Sequence, residues 1–121
     1  MKACSKFFAV SVFSVSLILL NSSPVSAKTF IDPKLDGSYI DACLESYKFP
    51  DSCNKAARGE IARQFCRYKG YSSWKQYQNR DFGWNNRTTN WKWKESYVDG
   101  QVQSNFSSNV GGNRFTVIEC R

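Results

Sequence analysis

Four of the five cysteines, Cys43, Cys53, Cys66 and Cys120, constrain this chain more than any other feature; Cys4 falls in the N-terminal segment considered below. Their gaps are far wider than the close pairs that build a structural zinc site. An even set so spaced reads as two disulfides, which persist only where the compartment is oxidising. Three pairings are open, and the order of the surrounding elements has to choose among them.

The N-terminal segment supplies the compartment. Lys2 and Lys6 give a positive start, Phe7 to Leu20 is apolar apart from small serines, and Val25-Ser26-Ala27 has the small-residue form that a signal peptidase accepts. The apolar run is shorter than the roughly 20 residues a membrane-spanning helix needs. Residues 1–27 are therefore expected to be a signal peptide and residues 28–121 a single small secreted or periplasmic domain, with no transmembrane segment of its own. That domain has 94 residues and, without Lys2 and Lys6, a net charge of +5 instead of +7. A core of this size gains much from cross-links.

Residues 28–42 read as a lead-in segment, with turns at Pro33 and Asp36-Gly37. A helix is expected over Asn54 to Lys69. Asn54 can cap it, and Ala57, Ile61, Phe65 and Tyr68 fall at three-and-four spacing on one face. Arg67 and Lys69 suit its negative end, and Gly70 can terminate it in a left-handed turn. Beyond it, Tyr71 to Gln78 reads as a strand and Asn79 to Asn86 as a loop. Asn90 to Val98 alternates, with Trp91, Trp93, Glu95 and Tyr97 on one face. Asp99-Gly100 supplies a two-residue hairpin turn, and Gln101 to Phe106 returns antiparallel. That turn pairs Tyr97 with Val102 and Trp93 with Phe106, both apolar and on one face. A further turn at 110–113 leads to a closing strand, Phe115 to Cys120.

The expected fold is α+β, with one amphipathic helix packed on a small antiparallel sheet. Cys66 lies beside the apolar helix face and Cys120 ends the last strand. The preferred pairs are Cys66 with Cys120, and Cys43 with Cys53 beneath the helix start.

The stretches Ala62-Arg-Gln-Phe65-Cys66-Arg-Tyr-Lys-Gly70-Tyr71 and Phe115-Thr-Val-Ile118-Glu-Cys120 carry a resemblance. The chain resembles a group of small exported, cysteine-stapled domains with A-x-x-F-C-x-x-x-G-Y/F and a terminal F-x-x-I-x-C. Members of the group tend to carry further cysteines before the last strand, and this chain has none there. The resemblance implies the fold and export, and no chemistry.

The chain has no histidine, which removes Ser-His-Asp and Cys-His catalysis and the commonest zinc ligand. Asp32, Asp36, Asp41, Glu60, Asp81, Glu95 and Glu119 are not held in any pair by the sequence, so a carboxylate-based hydrolase is the weaker alternative. No catalysis, cofactor or metal is expected. What stands out is the block from Trp84 to Lys94, with three tryptophans, three asparagines and three cations in eleven positions. Indole faces stack on sugar C–H faces, and asparagine amides pair with hydroxyls. Trp84, in a Gly-Asn-Asn loop, is expected in solvent, while Trp91 and Trp93 are expected in the core. The opposite strand face would expose Asn90, Lys92, Lys94 and Ser96. Trp84, Asn85, Asn86, Arg87, Asn90, Lys92 and Lys94 are thus the candidate binding residues, for a polysaccharide or another anionic envelope or extracellular polymer. Arg63, Arg67, Lys69, Lys75 and Arg80 would join Arg87, Lys92 and Lys94 in one positive surface. A protein-interaction or inhibitor module is the alternative reading. Asn86 and Asn105 each open an Asn-x-Ser/Thr acceptor site.

Overall fold

The computed structural model describes residues 26–47 and 52–121, so nearly all of the expected signal peptide lies outside the described residues. Among the described residues, two sheets and one helix enclose the core. In the first sheet, β1 (Lys28–Ile31) and β5 (Trp74–Asp81) flank the central β8 (Asn113–Cys120), all antiparallel. The second is built on β6 (Thr88–Val98), which pairs along its whole length with β7 (Gln101–Gly111). The other edge of β6 takes two short strands in succession, β3 (Ser38–Ile40) and β4 (Glu45–Ser46), both parallel to it. The two-residue strand β2 (Lys34–Leu35) closes this sheet against β3.

The β6–β7 hairpin has the register that its turn demands. Asp99 and Gly100 take positive φ angles of 51° and 79°, and Tyr97 opposes Val102 as Trp93 opposes Phe106. It outruns the core, however. Trp93 is buried and meets Phe106 edge-on, whereas Tyr97 and Val102 stand in solvent beyond the reach of the helix. The return strand also continues past Phe106 to Gly111, because β6 offers a partner residue at every step.

The helix α1 (Lys55–Tyr68) is set by its caps. The Asn54 side chain accepts a hydrogen bond from the Ala57 N–H at 2.8 Å. At the other end Gly70 sits at φ 95°, the Gly70 N–H donates to the Arg67 carbonyl and the Tyr71 N–H to the Cys66 carbonyl. This paired C-terminal motif needs a residue without a Cβ at its left-handed position. Ala57, Ile61, Ala62, Phe65 and Cys66 are the buried face. Tyr68, expected there, is exposed instead, because the helix rotates it past the edge of the sheet. Phe65 is fully buried and meets the Phe30 ring edge-on at 5.2 Å, with Leu35, Ile40, Leu44, Phe115 and Ile118 completing the core.

Both preferred disulfides form, Cys43–Cys53 and Cys66–Cys120. The second ties the buried helix face to the end of β8. In the chain-entropy model, a loop of 54 residues contributes about 4 kcal/mol and one of 10 residues about 3 kcal/mol.

Three expectations need correction. Residues 28–42 are not merely a lead-in, since they supply β1, β2 and β3. These strands are too short to show a pattern, and two of them take their partners from distant β8 and β6. The strand expected at 71–78 runs from Trp74 to Asp81, pinned by pairing with β8 through two bulges. That pairing absorbs the first part of the loop expected at 79–86, and only Trp84–Asn86 forms a short 3-10 turn.

Candidate functional site

Where the two sheets meet, the chain crosses between them in a single step. The Asp41 N–H donates to the Trp91 carbonyl in one sheet, and the next N–H, of Ala42, donates to the Asn113 carbonyl in the other. Asp41 is buried, and its carboxylate is saturated by nearby donors. Oδ1 accepts from the Cys43 N–H at 2.8 Å, and Oδ2 accepts from the side-chain amides of Asn90 and Asn109 at 3.3 Å each. Asn90 also donates to the Gly111 carbonyl and accepts from the Thr88 hydroxyl. A Cβ on Gly111 would stand 2.8 Å from Asp41 Oδ2, and one on Gly112 only 2.5 Å from the Gly83 carbonyl oxygen. The paired glycines are thus needed for close approach.

This junction holds up a row of alternating cations and rings. Lys34 and Tyr39 are opposite one another across β2–β3, with Lys34 Nζ 4.8 Å from the Tyr39 ring centre. The Arg114 guanidinium lies over the Tyr39 ring as well as over Phe82, at 4.4 Å and 3.8 Å. Arg80 lies over Phe82 at 4.9 Å. The order is Lys34, Tyr39, Arg114, Phe82, Arg80. Two features of β5–β8 create it. Arg80 and Arg114 are cross-strand partners, and Phe82, two residues beyond Arg80, points to the same face.

Directly opposed like charges destabilise a sheet. Among the described residues Lys34, Arg80, Arg87 and Arg114 form no ion pair. Arg114 Nη1 is moreover buried without a hydrogen-bond partner, a condition that costs about 1–3 kcal/mol. The rings hold the guanidinium planes and offset part of this by cation–π attraction. A local rule broken in this way, and only partly compensated, marks a place shaped for something other than stability. Its chemistry is plain: planar donor forks suited to carboxylate, sulfate or phosphate oxygens.

The candidate residues of the Trp84–Lys94 block divide. Trp84 is 74% exposed, as expected. Arg87 covers one indole face with its guanidinium 3.6 Å from the ring centre, and its Nε donates to the Trp84 carbonyl. Asn85 and Asn86 share this exposed turn, and Asn86 donates to the Phe82 carbonyl, tying the turn to the cation–aromatic row. Asn90, Lys92 and Lys94 do not form the expected exposed strip. Asn90 is fully buried in the Asp41 cluster, and Lys92 is only 9% exposed. Lys94 pairs with Glu45 at 3.6 Å. The parallel strands β3 and β4 run along the edge of β6 beside these residues, which the sequence of β6 alone does not reveal. The single positive surface is also broken up. Arg63 is bidentate on Glu60, Lys75 sits 3.9 Å from Glu119, and Lys69 lies over Phe30 and Phe65.

Sequence reasoning missed Lys34, Tyr39, Phe82 and Arg114. Nothing local ties them together, and only the β5–β8 register and the step at Asp41 bring them into contact.

A cleft of about 690 Å³ lies on the other side of the β2–β3 hairpin. The second half of α1 forms one wall through Gln64, Arg67 and Tyr68, and Trp91, Trp93 and Phe106 form the other. The Trp91 indole N–H donates to the Leu35 carbonyl, whereas that of Trp93 is buried without a partner. The rim carries one cation, Arg67, and one carboxylate, Asp36. Its field is therefore close to neutral, unlike that of the arginine row.

Among the described residues no helix is long and apolar enough to cross a membrane. Compared with family models, curated proteins and solved structures, the chain matches none.

Proposed function

We propose that this chain is an exported, non-catalytic binding domain that captures an anionic polymer, an acidic polysaccharide or polyphosphate, on the row Lys34–Tyr39–Arg114–Phe82–Arg80. The observation that carries this reading is the opposition of Arg80 and Arg114 across β5–β8, where neither forms an ion pair among the described residues. A linear polyanion would lay successive charged groups against successive cations and relieve their mutual repulsion. The exposed face of Trp84, on the adjoining turn, suits the C–H face of a sugar ring in the same chain. The two disulfides fit an oxidising compartment, in keeping with the signal-like leader.

The test is retention of the oxidised protein on immobilised heparin, polygalacturonate and polyphosphate, with neutral dextran as control. Binding should fall steeply between about 50 and about 200 mM salt, as counterion release requires. Arg114→Gln should weaken it while leaving the fold intact. Binding that is indifferent to salt, or equal on dextran, would overturn the reading.

A second reading rests on the cleft between α1 and the β6–β7 hairpin, lined by Trp91 and Trp93. Two indoles, the Gln64 and Asn105 side chains and a neutral rim suit an uncharged saccharide there. Binding of that kind would survive high salt and fall with Gln64→Ala.

A further inference from the structure

We infer that β7 is a self-pairing edge, through which two copies of this chain join antiparallel about a two-fold axis at Phe106. Among the described residues β7 pairs with β6 alone, so its other edge is open over 11 residues. Proteins usually blunt such an edge with charge, proline or bulges. The other long edge strand, β5, carries Lys75, Arg80 and Asp81 and two bulges. In contrast, β7 reads Gln-Val-Gln-Ser-Asn-Phe-Ser-Ser-Asn-Val-Gly, with neither a charge nor a proline, and its register with β6 is unbroken.

The direction of its backbone groups can be worked out. A two-residue turn closes on a hydrogen-bonded pair, here Val98 with Gln101, and bonded and non-bonded pairs then alternate. Trp91 and Ser108 thus form a non-bonded pair. An independent contact agrees: the Trp91 carbonyl is taken by the Asp41 N–H on the far side of β6, and so points away from β7. Val102, Ser104, Phe106, Ser108 and Val110 therefore turn their N–H and C=O groups outward.

That set is symmetric about Phe106. A second copy in antiparallel register would bond Phe106 to its own counterpart, Ser104 to Ser108 and Val102 to Val110. It would bring together the two exposed valines, 46% and 60% accessible, with no like charges meeting. An unrelated charged or proline-containing strand has no such match. The contact is isologous, the commonest form of closed dimer. It leaves the arginine row untouched and does not depend on the binding proposed above.

The test is sedimentation velocity and amide hydrogen exchange of the oxidised protein across a micromolar-to-millimolar range. A dimer should populate with concentration. As it does, exchange at Val102, Ser104, Phe106, Ser108 and Val110 should slow at least tenfold, while Gln103 and Asn105, already bonded to β6, should not change. Ser108→Pro removes only an outward N–H, which an edge strand tolerates, and Val102→Lys places a charge in the contact. Either variant should remain monomeric with unaltered exchange at Gln103. A protein that stays monomeric with fast outward amides would overturn the inference. So would a dimer that survives both substitutions.

Discussion

Arg80 and Arg114 face one another across the β5–β8 ladder, and both guanidinium groups lie over the Phe82 ring. Since opposed like charges disfavour a sheet by about 0.2–1 kcal/mol, Arg80→Thr should leave the unfolding free energy unchanged or raise it slightly. The same substitution should lower polyanion affinity and reduce the log–log salt dependence by about one unit. Urea denaturation and salt-dependent binding, measured on one preparation, check both halves. A variant that loses stability and keeps its binding would assign the pair a purely structural role.

Trp84 offers a contrasting case. It is largely in solvent and its one close partner is Arg87, so Trp84→Ala should change stability by no more than about 0.5 kcal/mol. Affinity for an acidic polysaccharide should drop with it. Affinity for polyphosphate, which has no sugar face, should stay nearly the same. Parallel titrations with the two polymers separate stacking from charge.

Asp41 should behave as a keystone. Asp41→Asn replaces one accepting oxygen with a donor aimed at the amides of Asn90 and Asn109 or at the Cys43 N–H, and should cost about 1–3 kcal/mol. Gly111→Ala drives a methyl group to within 2.8 Å of the same carboxylate and should cost about 1–3 kcal/mol. Because both substitutions act on one cluster, the double variant should be less destabilised than the sum of the two, as a double-mutant cycle would show.

The two disulfides should differ in weight. Replacing Cys66 and Cys120 together by alanine should cost about 4 kcal/mol, and replacing Cys43 and Cys53 about 3 kcal/mol. Mass spectrometry before and after alkylation should find both bonds in the native protein, and thermal melts of the pairwise variants should rank them in that order.

Much of this architecture was legible in the residues, and the boundary has a physical cause. Asn54, Gly70 and Asp99-Gly100 act through local backbone geometry, so the helix, its caps and the hairpin register could be read directly. Placing Cys66 on the helix and Cys120 on the last strand favoured one of three open cysteine pairings, and the structure shows that one. What could not be read depends on strand pairing between distant segments. Lys92 and Lys94 look exposed when β6 is considered with β7 alone, and β3 and β4, drawn from residues 38–46, change that. The same non-locality hid the arginine row. Arg114 was indistinguishable from other surface cations until β8 placed it opposite Arg80.

The step at Asp41–Ala42 has a mechanical consequence. The row of cations and rings draws on β2–β3, β5 and β8, and the consecutive hydrogen bonds to Trp91 and Asn113 fasten these segments across both sheets. A force applied to this surface would not peel one strand at a time from it. The pull would be shared by several ladders loaded together, with the Cys66–Cys120 bond limiting how far β8 can slip. Under pulling force the domain should therefore unfold in one cooperative step and not strand by strand.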